Sequence, residues 1–278
     1  MLHAVHAVHA VLAALLCPAA GAASQTTPAL GLSSEEVQRI VGLGPWPPTL
    51  RPDPGNRVSG QAQAIELGRR LFSDARMSPV AYIACVTCHQ PDRSFTDNKP
   101  RAHGLADLPR NTPALANLGL QRWFGRGGAS DSLWMASIRP ILDAREFDGS
   151  PASVAKLFDR DPELAACDRR VFKESPQARP QRTIVNVGKA LAAFQETLVT
   201  GRTAVDDFRD ALARGDAAAA AAYPAAAQRG LRLLVGPAQS VEPWSAQQVD
   251  DPTAFLATLS DQYGTRRPGS TAGLAGCP

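Results

Sequence analysis

Two features of the 278-residue sequence predict an all-α fold. Apolar residues recur at helical spacing, and no run alternates apolar with polar residues as a half-buried strand does. The chain is long enough for one large domain or two small ones with a substantial core. Its 29 basic and 26 acidic residues give a net charge of +3. The basic residues are spread along the chain, which argues against nucleic acid as the main partner.

Residues 1–23 read as an export signal cleaved near Ala22 or Ala23, which would place the protein in the periplasm. Ala10 to Leu16 is apolar but too short to span a bilayer, and small residues follow at Ala20-Gly21-Ala22-Ala23. His3, His6 and His9 stand where Lys or Arg is usual, and cleavage would remove all three. Leu16 before Cys17 argues against a lipid anchor, and no later stretch could cross a membrane, so no membrane partner is expected.

Residues 24–59 hold Trp46-Pro47-Pro48 and Pro52-Asp53-Pro54-Gly55, which predict an extended arm wrapping the core. Gly60 to Ser73 reads as a helix with Ile65, Leu67, Leu71 and Phe72 on its apolar face. A long polar loop from Gln90 to Pro113 leads to helices expected at 131–141 and 151–158. Thr183 to Val199 is the strongest helical pattern, with Val187, Leu191, Phe194 and Leu198 on one side. Ala217 to Ala222 reads as a solvated helical end or linker, and 244–259 as a terminal helix before a Gly/Pro-rich tail.

Cys85-Val86-Thr87-Cys88-His89 carries the chemistry. Two cysteines one helical turn apart reach the two vinyl groups of a porphyrin, and the adjacent histidine is held where its imidazole ligates the iron. This spacing predicts one covalently attached haem c. Two readings compete with it. No βαβ pattern surrounds the pair as in a thioredoxin-like site, and a structural zinc would need a second ligand pair. Export agrees with haem, which is attached outside the cytoplasm. Of the remaining cysteines Cys17 leaves with the signal, while Cys167 and Cys277 could pair. His103 is the other histidine after residue 23 and the leading candidate for a second iron ligand.

Leu67 to Phe72, Cys85 to His89, Ser94-Phe95-Thr96-Asp97, Arg110-Asn111-Thr112-Pro113, Pro140 to Glu146 and Val185 to Leu191 together resemble the bacterial di-haem cytochrome c peroxidases and their MauG-like branch. The resemblance covers roughly residues 45–236. It implies two cytochrome c-like domains, the N-terminal haem being the one that meets peroxide. It also implies that His103 can cap that iron, that Glu146 moves protons during O–O cleavage, and that Pro140 shares its pocket. The partners implied are hydrogen peroxide and a small electron-donor cytochrome or copper protein, or a protein substrate. A calcium ion with Asn111 among its ligands is implied too, although its other ligands would come from the second domain.

The sequence departs from that family in three places. Arg229 to Gly236 resembles the approach to a second haem motif, but Pro237-Ala238-Gln239-Ser240 follows with no cysteine until Cys277. The expected domains are therefore a haem domain at 60–214 and a truncated remnant with a tail at 215–278. Arg126 stands where a tryptophan between the haems is expected, with Trp123 three residues early, and Ala136 replaces a glutamine in the distal pocket. The favoured function is a peroxidase-type oxidoreductase; the alternatives are a non-catalytic mono-haem electron carrier and an inactive remnant.

Overall fold

The computed structural model describes residues 26–27, 30–176, 179–236 and 246–259. The chain is mostly helical, with one two-residue strand pair, β1 (Thr26–Thr27) and β2 (Leu32–Ser33). The helices are α1 (Ser34–Val41), α2 (Ala62–Phe72), α3 (Cys85–Cys88), α4 (Leu133–Leu142), α5 (Pro151–Arg160) and α6 (Pro162–Phe172). They continue with α7 (Pro180–Gln195), α8 (Ala204–Ala213), α9 (Ala217–Ala221), α10 (Ala225–Val235) and α11 (Ala246–Ala257).

Helices α2, α4, α5, α6 and α7 enclose the larger core, in which Leu67, Leu71, Ile141, Phe158, Leu164 and Leu191 are each at most 1 % exposed. Each such side chain contributes about 1.5–3 kcal/mol through burial. At the centre α2 crosses α7. A β-carbon on Gly68 would fall 2.0 Å from the Ala190 carbonyl oxygen and 2.9 Å from the Phe194 β-carbon, so the crossing needs glycine. Gly188 plays the same part where α7 meets Trp134 and Ile138 of α4.

A second core joins α1 and α8 to α11, with Ile40, Val205, Phe208, Tyr223, Leu231 and Phe255 buried in it. Here α10 crosses α11 as α2 crosses α7. A β-carbon on Gly230 would lie 2.1 Å from the Asp251 carbonyl oxygen and 2.8 Å from the Phe255 β-carbon. Helices α10 and α11 thus form a closely packed pair. Arg232 to Glu36 at 2.8 Å and Arg39 to the Val235 carbonyl at 2.6 Å tie α1 to α10.

Three features differ from the sequence expectation. The arm is not wholly extended: Ser33 caps α1, exchanging hydrogen bonds with Glu36, because a capping box satisfies donors that the extended chain leaves open. Beyond α1 the arm does hold the core, with the Trp46 indole donating to the Thr200 carbonyl and the Asn56 amide to that of Lys189, both at 2.9 Å. Helix α6 is extra. Asp161 accepts the Leu164 amide at 2.9 Å and Pro162 sits at the first helical position, where it lacks no bond. Helix α8 is also extra and packs into the second core. The Ala217–Ala221 run is a largely exposed helical end, as expected, with Ala220 buried in that core. Residues 1–25, Cys277 and the Gly/Pro-rich tail lie outside the described residues, and Cys167 is fully buried in α6. Among the described residues no helix is long and apolar enough to cross a membrane.

Candidate functional site

Helix α3 is one turn long, and its backbone bonds set the motif. The Ala84 amide donates to Thr87 Oγ1 at 3.0 Å, and the His89 amide reaches the Cys85 carbonyl at 2.8 Å. Cys85 and Cys88 thus stand three residues apart on one helical face. His89 follows with its ring mostly buried. The loop after it folds back, with the Phe95 amide donating to the Gln90 carbonyl at 2.9 Å and both Ser94 (φ 54°) and Phe95 (φ 57°) in the left-handed region. That turn brings the Phe95 carbonyl to within 2.9 Å of His89 Nδ1. A carbonyl can only accept, so the tautomer that fits carries its proton on Nδ1 and leaves the Nε2 lone pair for a metal. Burial pushes the His89 pKa down, which also favours the neutral ring.

Cys85, Cys88 and His89 open onto a cavity of about 620 Å³, within the range of cofactor clefts. Its walls are apolar at Phe72, Ile83, Leu115, Phe124, Leu133, Phe147 and Leu191, with Ala136, Ser137 and Pro140 contributed by α4. Polar groups enter at Arg110, Asn111, Gln121, Arg126, Glu146 and Gln195. A flat apolar macrocycle with two carboxylates fits such a lining: two thiols and an imidazole at one end, apolar walls, and two guanidinium groups to meet the carboxylates. Burial raises the Cys85 thiol to about 12, and that of Cys88 in the same direction, so both thiols are protonated at neutral pH.

Glu146 lines the cavity in the turn after α4. Desolvation raises its carboxyl pKa and neighbouring Asp143 adds to the shift, against Arg145 and Arg139. The 102–108 loop packs onto this turn. The Ala106 amide donates to the Arg145 carbonyl at 3.0 Å, and a β-carbon on Gly104 would lie 2.9 Å from the Glu146 α-carbon.

The structure thus brings Cys85, Cys88, His89, Pro140 and Glu146 to one cavity and leaves His103 outside it. The His103 side chain is 60 % exposed and its Nδ1 lies 2.7 Å from Asp107 Oδ1. Only its backbone carbonyl faces the motif, 3.6 Å from Cys88 Sγ. Arg126 lines the cavity where the bridging tryptophan was expected, while Trp123 is 65 % exposed and does not.

Gln195 and Ser137 are cavity residues the sequence reading did not single out. The Gln195 amide donates to Ser137 Oγ at 2.8 Å, and Ser137 in turn to the Leu133 carbonyl at 2.8 Å. The available signal was a polar residue four places after Leu191 on the apolar side of α7, where it is 7 % exposed.

The all-α fold and this cavity define a haem protein of the cytochrome c class. A family model for di-haem cytochrome c peroxidase matches residues 62–215, and the chain belongs to that family. The methylamine utilization protein MauG of Methylorubrum extorquens is 34 % identical over 223 residues, 79 % of this chain and 58 % of that one. Cytochrome c551 peroxidase of Pseudomonas aeruginosa is 30 % identical over 182 residues, 64 % of this chain and 50 % of that one. The chain therefore spans little more than half the length of the curated relatives it matches. Among solved structures, a MauG-like protein associated with microbial copper homeostasis superposes with a TM-score of 0.55 at 27 % identity, over 68 % of this chain and 53 % of the other. The diheme peroxidase BthA of Burkholderia thailandensis, at 23 % identity and a TM-score of 0.52 over 68 % and 48 % of the two chains, shares the fold.

Proposed function

We propose that the protein is a periplasmic peroxidase-type oxidoreductase carrying one haem c, with hydrogen peroxide as its oxidant. Cys85 and Cys88 hold the haem through thioethers, His89 ligates the iron, and Arg110 and Arg126 pair with the propionates. One observation carries the reading: Glu146 shares a cavity with the Cys85–His89 motif while the His103 imidazole lies outside it on Asp107.

Haem iron supplies the redox chemistry of peroxide reduction, in which one peroxide, two electrons and two protons give two waters. The Glu146 carboxylate takes a proton from one peroxide oxygen and returns it to the other, which leaves as water. Its raised pKa makes it the stronger base for taking that proton. The apolar walls and Pro140 limit access by bulk water. With one haem motif in the chain, both electrons come from outside, from a small redox protein or from a protein substrate that is itself oxidised.

The test is a haem count by mass together with absorption and EPR titration of the purified protein against peroxide. One haem, a high-spin ferric resting state and a stoichiometric response to peroxide are expected. A low-spin bis-histidine spectrum that ignores peroxide would show an electron carrier instead.

A further inference from the structure

We propose that a second cleft, at the start of α7, binds a small tetrahedral oxyanion of the phosphate or sulfate class; this does not depend on the peroxidase reading above. The cleft has a volume of about 330 Å³, at the small end of the range for ligand sites. Its lining is Glu174, Ser175, Arg179, Arg182, Thr183 and Asn186, and none of these residues lines the haem cavity. Positions 182, 183 and 186 follow 179 by three, four and seven residues, so these side chains share one face of the helix.

Asn186 is the observation that points to a ligand. It is 5 % exposed, lines the cleft, and its side chain has no hydrogen-bond partner among the described residues. Gln195, the other buried carboxamide of this helix, donates to Ser137 and to the Leu191 carbonyl. Buried amides are nearly always bonded, because losing water without a replacement is costly. An unpartnered carboxamide in the wall of a cleft supplies a donor that a bound molecule can satisfy.

The charge around it selects an anion. Arg179 has no ion-pair partner among the described residues, and a guanidinium presents a fork of donors that matches two oxygens of one oxyanion. Arg182 pairs with Glu174 through Nε at 2.9 Å, and its terminal nitrogens have no printed ion pair of their own. The N-terminus of α7 adds partial positive charge, since its first turn holds no acidic residue and no side chain caps it. Two carboxylates oppose this. Glu174 is the acidic residue of the lining and is already matched by Arg182 and, at 3.8 Å, by Arg57. Asp168 lies within electrostatic reach of Glu174, but burial raises its pKa to about 7, so it carries part of its charge at neutral pH. A cation would meet the two arginines and the helix terminus as repulsion.

The experiment titrates the haem-loaded protein with inorganic phosphate, methyl phosphate and sulfate by calorimetry at pH 7, with chloride at matched ionic strength as the comparison. The expected result is one saturable site with a dissociation constant of about 1 mM or tighter for phosphate or sulfate, and none for chloride. Methyl phosphate binding at least as tightly as phosphate supports a phosphomonoester ligand, and weaker binding supports the free ion. Arg179→Gln should weaken binding about tenfold or more. Asn186→Leu, which keeps the volume and removes the donor, should weaken it about fivefold or more. Glu174→Gln should tighten it about threefold or more, because the carboxylate competing for Arg182 is gone. Circular dichroism and urea midpoints check folding. Arg179 is exposed and unpaired, so its variant decides the matter even where Asn186→Leu does not fold. No saturable site, equal binding of chloride, wild-type affinity in Arg179→Gln, or loss of binding in a folded Glu174→Gln overturns the proposal.

Discussion

Gly68 on α2 and Ala190 on α7 touch so closely that a β-carbon on the glycine would lie 2.0 Å from the Ala190 carbonyl oxygen. The obstacle is backbone, which cannot swing aside as a side chain can. Gly68→Ala should therefore destabilise the protein by about 3 kcal/mol or more. Denaturant unfolding checks this. Gly230→Ala meets the same obstacle at Asp251, but in the second core. It should melt α10 and α11 while the haem absorption spectrum survives. Equal damage to the haem spectrum by both variants would show that the two cores do not fold separately.

Glu146→Gln should retain haem and lower peroxide turnover by roughly 10²–10⁴-fold, the usual contribution of a positioned acid–base group. Because burial raises the Glu146 pKa above 4.5, activity that needs the carboxylate should increase with pH through a midpoint above that value. Stopped-flow rates across pH report the midpoint, and a profile shared by the wild type and the glutamine variant would remove Glu146 from the chemistry.

His103→Ala should leave the resting ferric spectrum unchanged, because the imidazole sits on Asp107 rather than in the cavity. Conversion from low to high spin in the variant would instead reveal a capping histidine.

Asp168 is fully buried on α6, and neither carboxylate oxygen has a hydrogen-bond partner among the described residues. Burial, with Glu174 adding to it, raises its pKa from 3.8 to about 7. The folded state thus binds a proton that the unfolded chain has released, so stability falls as pH rises from about 4 to about 7 and then levels off. Asp168→Asn should remove that slope and stabilise the protein at pH 8 by roughly 2–4 kcal/mol, with little effect at pH 4. Urea midpoints at the two pH values decide it.

The sequence by itself determined the helical class, the haem motif and the family, because helical periodicity, a five-residue ligand spacing and ordered motifs are local signals. It also showed Glu146 as a candidate. The tertiary structure decided what depends on which segments meet. Helix α6 was missed because Asp161-Pro162 reads equally as a turn or a cap, and only a bond to the Leu164 amide separates the two. His103 is the plainest case: its spacing from Cys88 is compatible with either side of the loop. The 2.7 Å contact with Asp107 and the packing of Gly104 on Glu146 decide which side its ring takes. Gln195 and Ser137 meet across 58 positions of sequence, a distance over which no periodic pattern speaks. The packing of α10 against α11 likewise follows from a close glycine contact that composition cannot reveal.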